Sequence, residues 1–420
     1  MKKFMKTYGL AVLVLTACTL VYSKAKKLAN SKLEEKKTPG FIFAFDGGST
    51  GTRLYIYETF RDEKGALDVD FAPRHRQEPL WSKKISPGIA QFSTNRDGIP
   101  AYLDELIDFG LEKVQGTDAS QVEVLFNATG GMRALSPHDQ EIVLSSLRNY
   151  FRSKKFFFED KNIQVIDGSM EGIYAWIAVN KLSGNLASGT AKAVAKKTDG
   201  VVEVGGASIQ VTFAVPSAPD HHSVPLEFAG VSYNLYSYSY DEFGLMLAQK
   251  KWLTPNAVSC LGAVQDLPST GDFSSCKAGI IATLYNKEFC DVAKWCQVLR
   301  EAHQPSLPPG MSFVGIDKVY MLAHNFQIKD FSLASLHQKG EEVCALNWDQ
   351  LLAAYPGVKV SDAVGVDTLG KGCFNMVYLS SVFEKFGFSL ANPIKPAEMI
   401  NSGAPTHTFG AVLLHLSQFF

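Results

Sequence analysis

The chain has 420 residues, 46% of them hydrophobic, and a formal net charge of -1. That length accommodates two domains with sizeable cores. The balanced charge argues against a nucleic-acid partner, because no basic excess exists to release counterions from a phosphate backbone.

At the N-terminus, Lys2, Lys3 and Lys6 precede an apolar run from about Tyr8 to Tyr22, which reads as a secretory signal over residues 1–23. The run is shorter than the ~20 residues that a spanning helix needs, so an uncleaved anchor ranks second. Leu15-Thr16-Ala17-Cys18 resembles a bacterial lipoprotein box, and a plain signal core containing Cys18 is the simpler reading. A membrane is therefore a partner only if Cys18 is lipidated or the segment stays uncleaved. Residues 24–40 are rich in Lys and Glu and read as a solvated tether.

The next segment, "FAFDGGSTGTRLYIY" (Phe43–Tyr57), sets two strand-like runs around a turn holding Asp46, glycines, hydroxyls and Arg53. A similar unit recurs in "VVEVGGASIQVTFAV" (Val201–Val215), with Glu203 in place of the Asp. Neither contains G-x-x-x-x-G-K-[ST], so neither is a P-loop. One Gly-rich hairpin would be unremarkable. Two matched hairpins suggest a duplicated architecture that grips one polyphosphate from both sides. Glycines let backbone N–H groups converge on phosphate, and Ser or Thr hydroxyls add donors. A carboxylate at the strand end can hold a divalent cation, and an Arg neutralises phosphate charge or supports the loop.

Two further segments lie between the hairpins. "VEVLFNATGGMRAL" predicts a strand over Val122–Phe126 running into a turn with Thr129, Gly130, Gly131 and Arg133. "VIDGSMEGIYAWIAVNKLSG" predicts a helix from about Met170, capped by Asp167 or Ser169, with Glu171 in its first turn, where the helix dipole favours a carboxylate. Trp176 reads as core and Asn180 as a helix-end residue. Asn127-Ala128-Thr129 is a glycosylation sequon that we read as accidental, since Thr129 belongs to the candidate site.

Beyond Cys18, the chain carries Cys260, Cys276, Cys290, Cys296, Cys344 and Cys373, all in its second half and without a C-x-x-C pair. In an exported chain these read as disulfides rather than metal ligands. Sequence alone leaves about 15 connectivities open.

In this order and spacing, the four segments resemble the apyrase family, the ecto-nucleoside triphosphate diphosphohydrolases. Asp46-Gly-Gly-Ser-Thr-Gly-Thr-Arg53 is close to the family's D-A-G-S-T-G-T-R. Thr129-Gly-Gly-Met-Arg133 is close to T-A-G-M-R, Glu171 to Asn180 matches E-G-x-Y-x-W-x-x-x-N, and Glu203-Val-Gly-Gly-Ala-Ser-Ile-Gln210 is close to D-L-G-G-A-S-T-Q. "GKGCFNMVYLSSVFEKFGF" resembles the soluble nucleoside diphosphatase branch. The fifth motif, G-W-A-L-G, corresponds to "SGAPTHTFGAVLLHL", where His407 or Phe409 stands in the region of a Trp that lies near the base pocket in relatives.

The resemblance implies an α/β fold of two RNase H-like (actin-like) domains with a nucleotide cleft between them. Domain I would cover 41–166 plus 398–420, and domain II 167–397. Cys344 would pair with Cys373, and the other four among themselves. Glu171 would be the general base, with Ser208 and Gln210 orienting a water. Gly48, Ser49, Thr50, Arg53, Thr129, Arg133, Gly205, Gly206 and Ala207 would serve the phosphates. Asp46 and Glu203 would hold Mg²⁺ or Ca²⁺ through water, with Glu203 altering the metal dependence because relatives carry Asp. The substrates would be nucleoside tri- and diphosphates. The alternatives are an exopolyphosphatase-like phosphatase of the same fold and a catalytically weak nucleotide-binding module.

Overall fold

The computed structural model describes residues 40–63, 67–75, 77–186, 197–215, 223–252, 258–260, 271–285, 304–358, 369–389 and 392–417. The expected leader, Cys18, the tether up to residue 39, Cys290 and Cys296 lie outside the described residues.

The apolar runs flanking the first Gly turn form β1 (Phe41–Gly47) and β2 (Thr52–Arg61), antiparallel, with Asp46 opposite Arg53. β3 (Leu67–Phe71) and β4 (Ser82–Ile85) both pair with β2. Helix α1 (Ile99–Lys113) leads to β5 (Val122–Ala128), the short α2 (Gly130–Arg133), α3 (Pro137–Ser153) and β6 (Ile163–Val165). The first sheet runs β3-β2-β1-β5-β6, with β5 parallel to both β1 and β6.

Helix α4 (Gly168–Leu182) then precedes β7 (Gly200–Val204) and β8 (Ser208–Ala214), the second Gly-turn hairpin. Next come β9 (Ser223–Phe228), β10 (Val231–Asp241), α5 (Leu245–Trp252), α6 (Phe273–Tyr285), β11 (Phe313–Asp317) and α7 (Lys318–Asn325). The chain closes with α8 (Leu333–Ala345), α9 (Trp348–Ala354), α10 (Gly372–Lys385), β12 (Ile394–Pro396) and α11 (His407–Ser417). The second sheet runs β12-β11-β7-β8-β10-β9, with β11 parallel to β7 and β12. Each sheet thus has a hairpin with antiparallel strands on one side and parallel strands on the other. The duplication expected from the two hairpins extends to whole sheets.

Strand pleat explains where the side chains go, because successive residues face opposite sides. Phe43 and Phe45 pack outward against Leu103, Leu106 and Phe151 of α1 and α3. Ile42 and Ala44 pack inward against Trp176 and Ile177 of α4 and Val412 of α11. In β7, Val202 and Val204 face the outer core with α6, α8 and α10, while Val201 joins the inner core. Helix α4 is buried almost all round because both sheets contribute to the core that encloses it. Asp46 has the parity of Ile42 and Ala44, and Glu203 has that of Val201. Both carboxylates therefore point into the middle layer, where α4 and α11 begin.

Two disulfides, Cys260–Cys276 and Cys344–Cys373, join segments of the second half. The second is the pairing that the family resemblance implies. Among the described residues, no helix is long and apolar enough to cross a membrane.

Candidate active site

Asp167 caps α4 by accepting from the Ser169 N–H at 2.8 Å, which places Glu171 in the first turn, buried at 6% exposure. Arg133 Nη1 donates to Glu171 Oε2 at 2.7 Å, and Gln210 Nε2 approaches the same oxygen at 3.4 Å. Both contacts go to Oε2, and Glu171 itself lines the cleft. Gln210 Nε2 also donates to Ser208 Oγ at 2.9 Å and to Ser239 Oγ at 2.8 Å. Ser208 Oγ receives a further bond from Arg133 Nη2 at 3.1 Å. With two donors pointing at that oxygen, the hydroxyl proton of Ser208 is directed elsewhere, and Ser208 itself lines the cleft.

The phosphate-binding candidates form one wall-to-wall surface. A cleft of about 620 Å³ is lined by Gly48, Ser49, Thr50, Arg53, Thr129, Gly205, Gly206 and Ala207, together with Asp46, Glu171, Glu203 and Ser208. Close approach explains two of the glycines. A Cβ on Gly131 would stand 2.8 Å from the Ser49 Cα, and one on Gly206 2.7 Å from the Ser49 Oγ. The first turn is thus pinched between the other two.

Two predicted residues are placed differently. Arg133 does not line the cleft; its guanidinium is bonded to Glu171, Ser208, Ser239 and Asp241, the last at 2.9 Å. It holds the carboxylate from below rather than presenting to phosphate. Gln210 is also beneath the surface, at 1% exposure. Arg53 does line the cleft, with Nη1 donating to the Tyr55 hydroxyl at 2.9 Å. Trp176 is core, and Asn180 ties the helix end to residue 199 through Nδ2 to the Asp199 carbonyl at 3.0 Å. Asn127 is buried in β5 at 5% exposure.

His407 also lines the cleft. It begins α11, is 5% exposed, and lies between the two strand-end carboxylates. Its Nε2 is 3.6 Å from Asp46 Oδ1, and its Nδ1 is 3.5 Å from Glu203 Oε1. Burial disfavours the charged imidazole, but Asp46, Glu203 and Glu171 outweigh it and hold His407 above its ordinary range. Burial likewise raises the Glu203 carboxyl, with His407 pulling the other way. Ligand atoms of Glu171, Glu203 and His407 come within 4.8 Å of one another, close enough to hold a metal ion. Asp46 Oδ1, Glu203 Oε2, His407 Nε2 and Gln210 Oε1 are buried with no hydrogen-bond partner. Unpartnered polar atoms gathered beside a carboxylate cluster fit a divalent cation and its waters.

Sequence reasoning missed several residues of the cleft. Lys84 of β4 donates to Thr50 Oγ1 at 3.3 Å and is lowered in pKa by burial and by the nearby Arg53 and Lys318 cations. Asp317 and Lys318 stand where β11 runs into α7 and line the cleft. Ser239 and Asp241 of β10 sit opposite Gln210 and Ser208. The alternation "YSYSYD" (Tyr236–Asp241) carried that signal, since it sets one polar face on a strand, but only the pairing register shows which partner it meets.

Residues 32–266 match the GDA1/CD39 (nucleoside phosphatase) family. The chain belongs to this family. Among relatives, it is 30% identical over 374 residues to "Probable apyrase 4" of Arabidopsis thaliana, covering 80% of this chain and 71% of the relative. It is 27% identical over 406 residues to ectonucleoside triphosphate diphosphohydrolase 5 of Gallus gallus, covering 89% and 86%. Among solved structures, a nucleoside triphosphate hydrolase from Neospora caninum superposes with a TM-score of 0.59 at 17% identity, covering 95% of this chain and 97% of that one. A Ppx/GppA family member from Aquifex aeolicus gives 0.50 at 14% identity, covering 91% and 99%. These two likenesses show the fold, an α/β architecture of the actin-like type with the cleft between its halves. Membership of the GDA1/CD39 family, a nucleoside phosphatase family, makes this chain a hydrolase and favours nucleoside phosphates over the exopolyphosphatase-like alternative.

Proposed function

We propose that the protein is an exported apyrase that removes the terminal phosphates of nucleoside tri- and diphosphates, leaving the monophosphate. The observation that carries this reading is the buried Glu171 carboxylate, held by Arg133 and Gln210 beside two glycine turns that line one cleft. In the step, a water held by Ser208, whose hydroxyl Gln210 and Arg133 orient from beneath, loses its proton to Glu171 as its oxygen attacks the terminal phosphorus. The bond to the bridging oxygen breaks, and its electron pair leaves on the shortened nucleotide. The backbone N–H groups of Gly48, Gly206 and Ala207, the hydroxyls of Ser49, Thr50 and Thr129, and Arg53 hold the phosphate oxygens. Such chemistry depends on positioning and charge neutralisation rather than on covalent catalysis. A divalent cation held at Asp46, beside Glu203, would offset charge on the phosphates. Export is supported by the leader-like N-terminus and by the two disulfides, which persist in oxidising compartments.

The test is phosphate release from a panel of nucleoside tri-, di- and monophosphates and long-chain polyphosphate, each with added divalent metal. Release from ATP and ADP with AMP accumulating is expected. Polyphosphate hydrolysed as fast as ATP would overturn the reading.

A further inference from the structure

Two of the departures from the family motifs, Glu203 for Asp and His407 in the region of a Trp, are in contact with each other. The imidazole Nδ1 faces Glu203 Oε1 at 3.5 Å. The extra methylene of Glu carries its oxygen toward the ring. A carboxylate facing Nδ1 accepts the hydrogen bond of that N–H, so a cation that displaces the Nε2 proton finds the lone pair of the imidazole there. That Nε2 is buried, has no hydrogen-bond partner, and lies 3.6 Å from Asp46 Oδ1, which also has none. Two ligands bound to one ion at about 2.0–2.2 Å lie roughly 3–4 Å apart. The separation of the two orphaned atoms therefore suits a single cation bound by both, with a carboxylate holding the ring from behind.

We propose that the cleft holds its cation through a nitrogen ligand, with His407 Nε2 and Asp46 Oδ1 bound directly to the ion and Glu203 fixing the imidazole. Such a site takes a borderline first-row ion of the Zn²⁺ or Co²⁺ class in preference to Mg²⁺ or Ca²⁺, because an imidazole adds affinity for the former and little for the latter. The assignment rests on the reading of this cleft as the catalytic one, but it concerns the ligand set and is testable without substrate.

The experiment is Co²⁺ binding to the full chain, free of nucleotide, followed by calorimetry and by proton NMR of hyperfine-shifted resonances. A histidine bound through Nε2 with its Nδ1–H held by Glu203 gives one strongly shifted, solvent-exchangeable proton. That signal is expected in the wild type and absent from His407→Gln, whose Co²⁺ affinity should fall at least tenfold while its Mg²⁺ affinity changes less than threefold. Glu203→Asp, which retracts the carboxylate and leaves the ring in place, should still bind Co²⁺ but lose the exchangeable signal to solvent; it carries the test if His407→Gln fails to fold. A Co²⁺-loaded wild type lacking the exchangeable signal overturns the proposal. So does equal Co²⁺ affinity in wild type and His407→Gln, or an unchanged signal in Glu203→Asp. Since nucleotide hydrolysis is measured separately, failure here leaves the phosphatase reading standing, and the reverse also holds.

Discussion

Directly across the strand pair from its carboxylate, the β1–β2 hairpin carries Arg53, and the β7–β8 hairpin carries Gln210 at the equivalent register position. The two hairpins share a carboxylate at the end of the first strand, a Gly-Gly turn and the same place in their sheets, yet their chemistry differs. Arg53 lies on the cleft surface, bonded to Tyr55. Gln210 lies beneath it, bonded to Ser208 and Ser239 and reaching Glu171. The first turn also spans four residues between its strands against three in the second, and its Ser49 lies close against Gly131 and Gly206. One duplicated scaffold has thus been given two jobs. In the proposed step, the first hairpin would present charge to phosphate, and the second would organise the water and its base.

The comparison can be broken at each position. The largest effect is expected from disabling the second hairpin's water site: Ser208→Ala with Gln210→Ala should lower kcat by ~10²-fold with KM nearly unchanged, because misplacing the nucleophile is costly while the phosphate grip remains. Steady-state kinetics with ATP reads this, and a KM effect of similar size would reassign these residues to binding. Next is the framework behind that hairpin. Both described disulfides lie on its side of the molecule, and Cys344→Ser should cost about 2–4 kcal/mol of stability, read as a lowered thermal midpoint. An unchanged midpoint would show that the bond does not constrain the chain. The smallest effect belongs to the first hairpin: Arg53→Ala should raise KM about tenfold with a lesser change in kcat, the value of one charge-assisted contact. A loss confined to kcat would contradict the division of labour.

Much of this was legible in the sequence because it is written locally. The alternating runs around Gly47-Gly48 and Gly205-Gly206 announce hairpins, and Asp167 ahead of Glu171 announces a capped helix. Each depends only on residues within a few positions, so no knowledge of the tertiary fold was needed. That the two hairpins face one polyphosphate followed from their matching, whereas bringing the helix and the Thr129 turn to the same cleft came from the family resemblance. What stayed hidden depends on distant pairing. Ser239 and Asp241 acquire their role from the β10 register against β8, and Lys84 from β4 returning beside β2. Arg133 sits in a turn that looked like part of a phosphate loop, but its side chain dives to Glu171 and Asp241. His407 was noticed as the break in a motif. Its position between Asp46 and Glu203 follows from α11 entering the middle layer, which no local pattern specifies.

The most direct test of the account measures turnover and nucleotide affinity together on Glu171→Gln. That substitution keeps the shape of the side chain and removes its capacity to accept a proton, so the rate should fall by ~10²–10⁴ while the dissociation constant for nucleotide stays within a few-fold of wild type. A variant that keeps more than about a tenth of the wild-type rate would contradict the assignment of Glu171 as the base, and with it the account of the cleft.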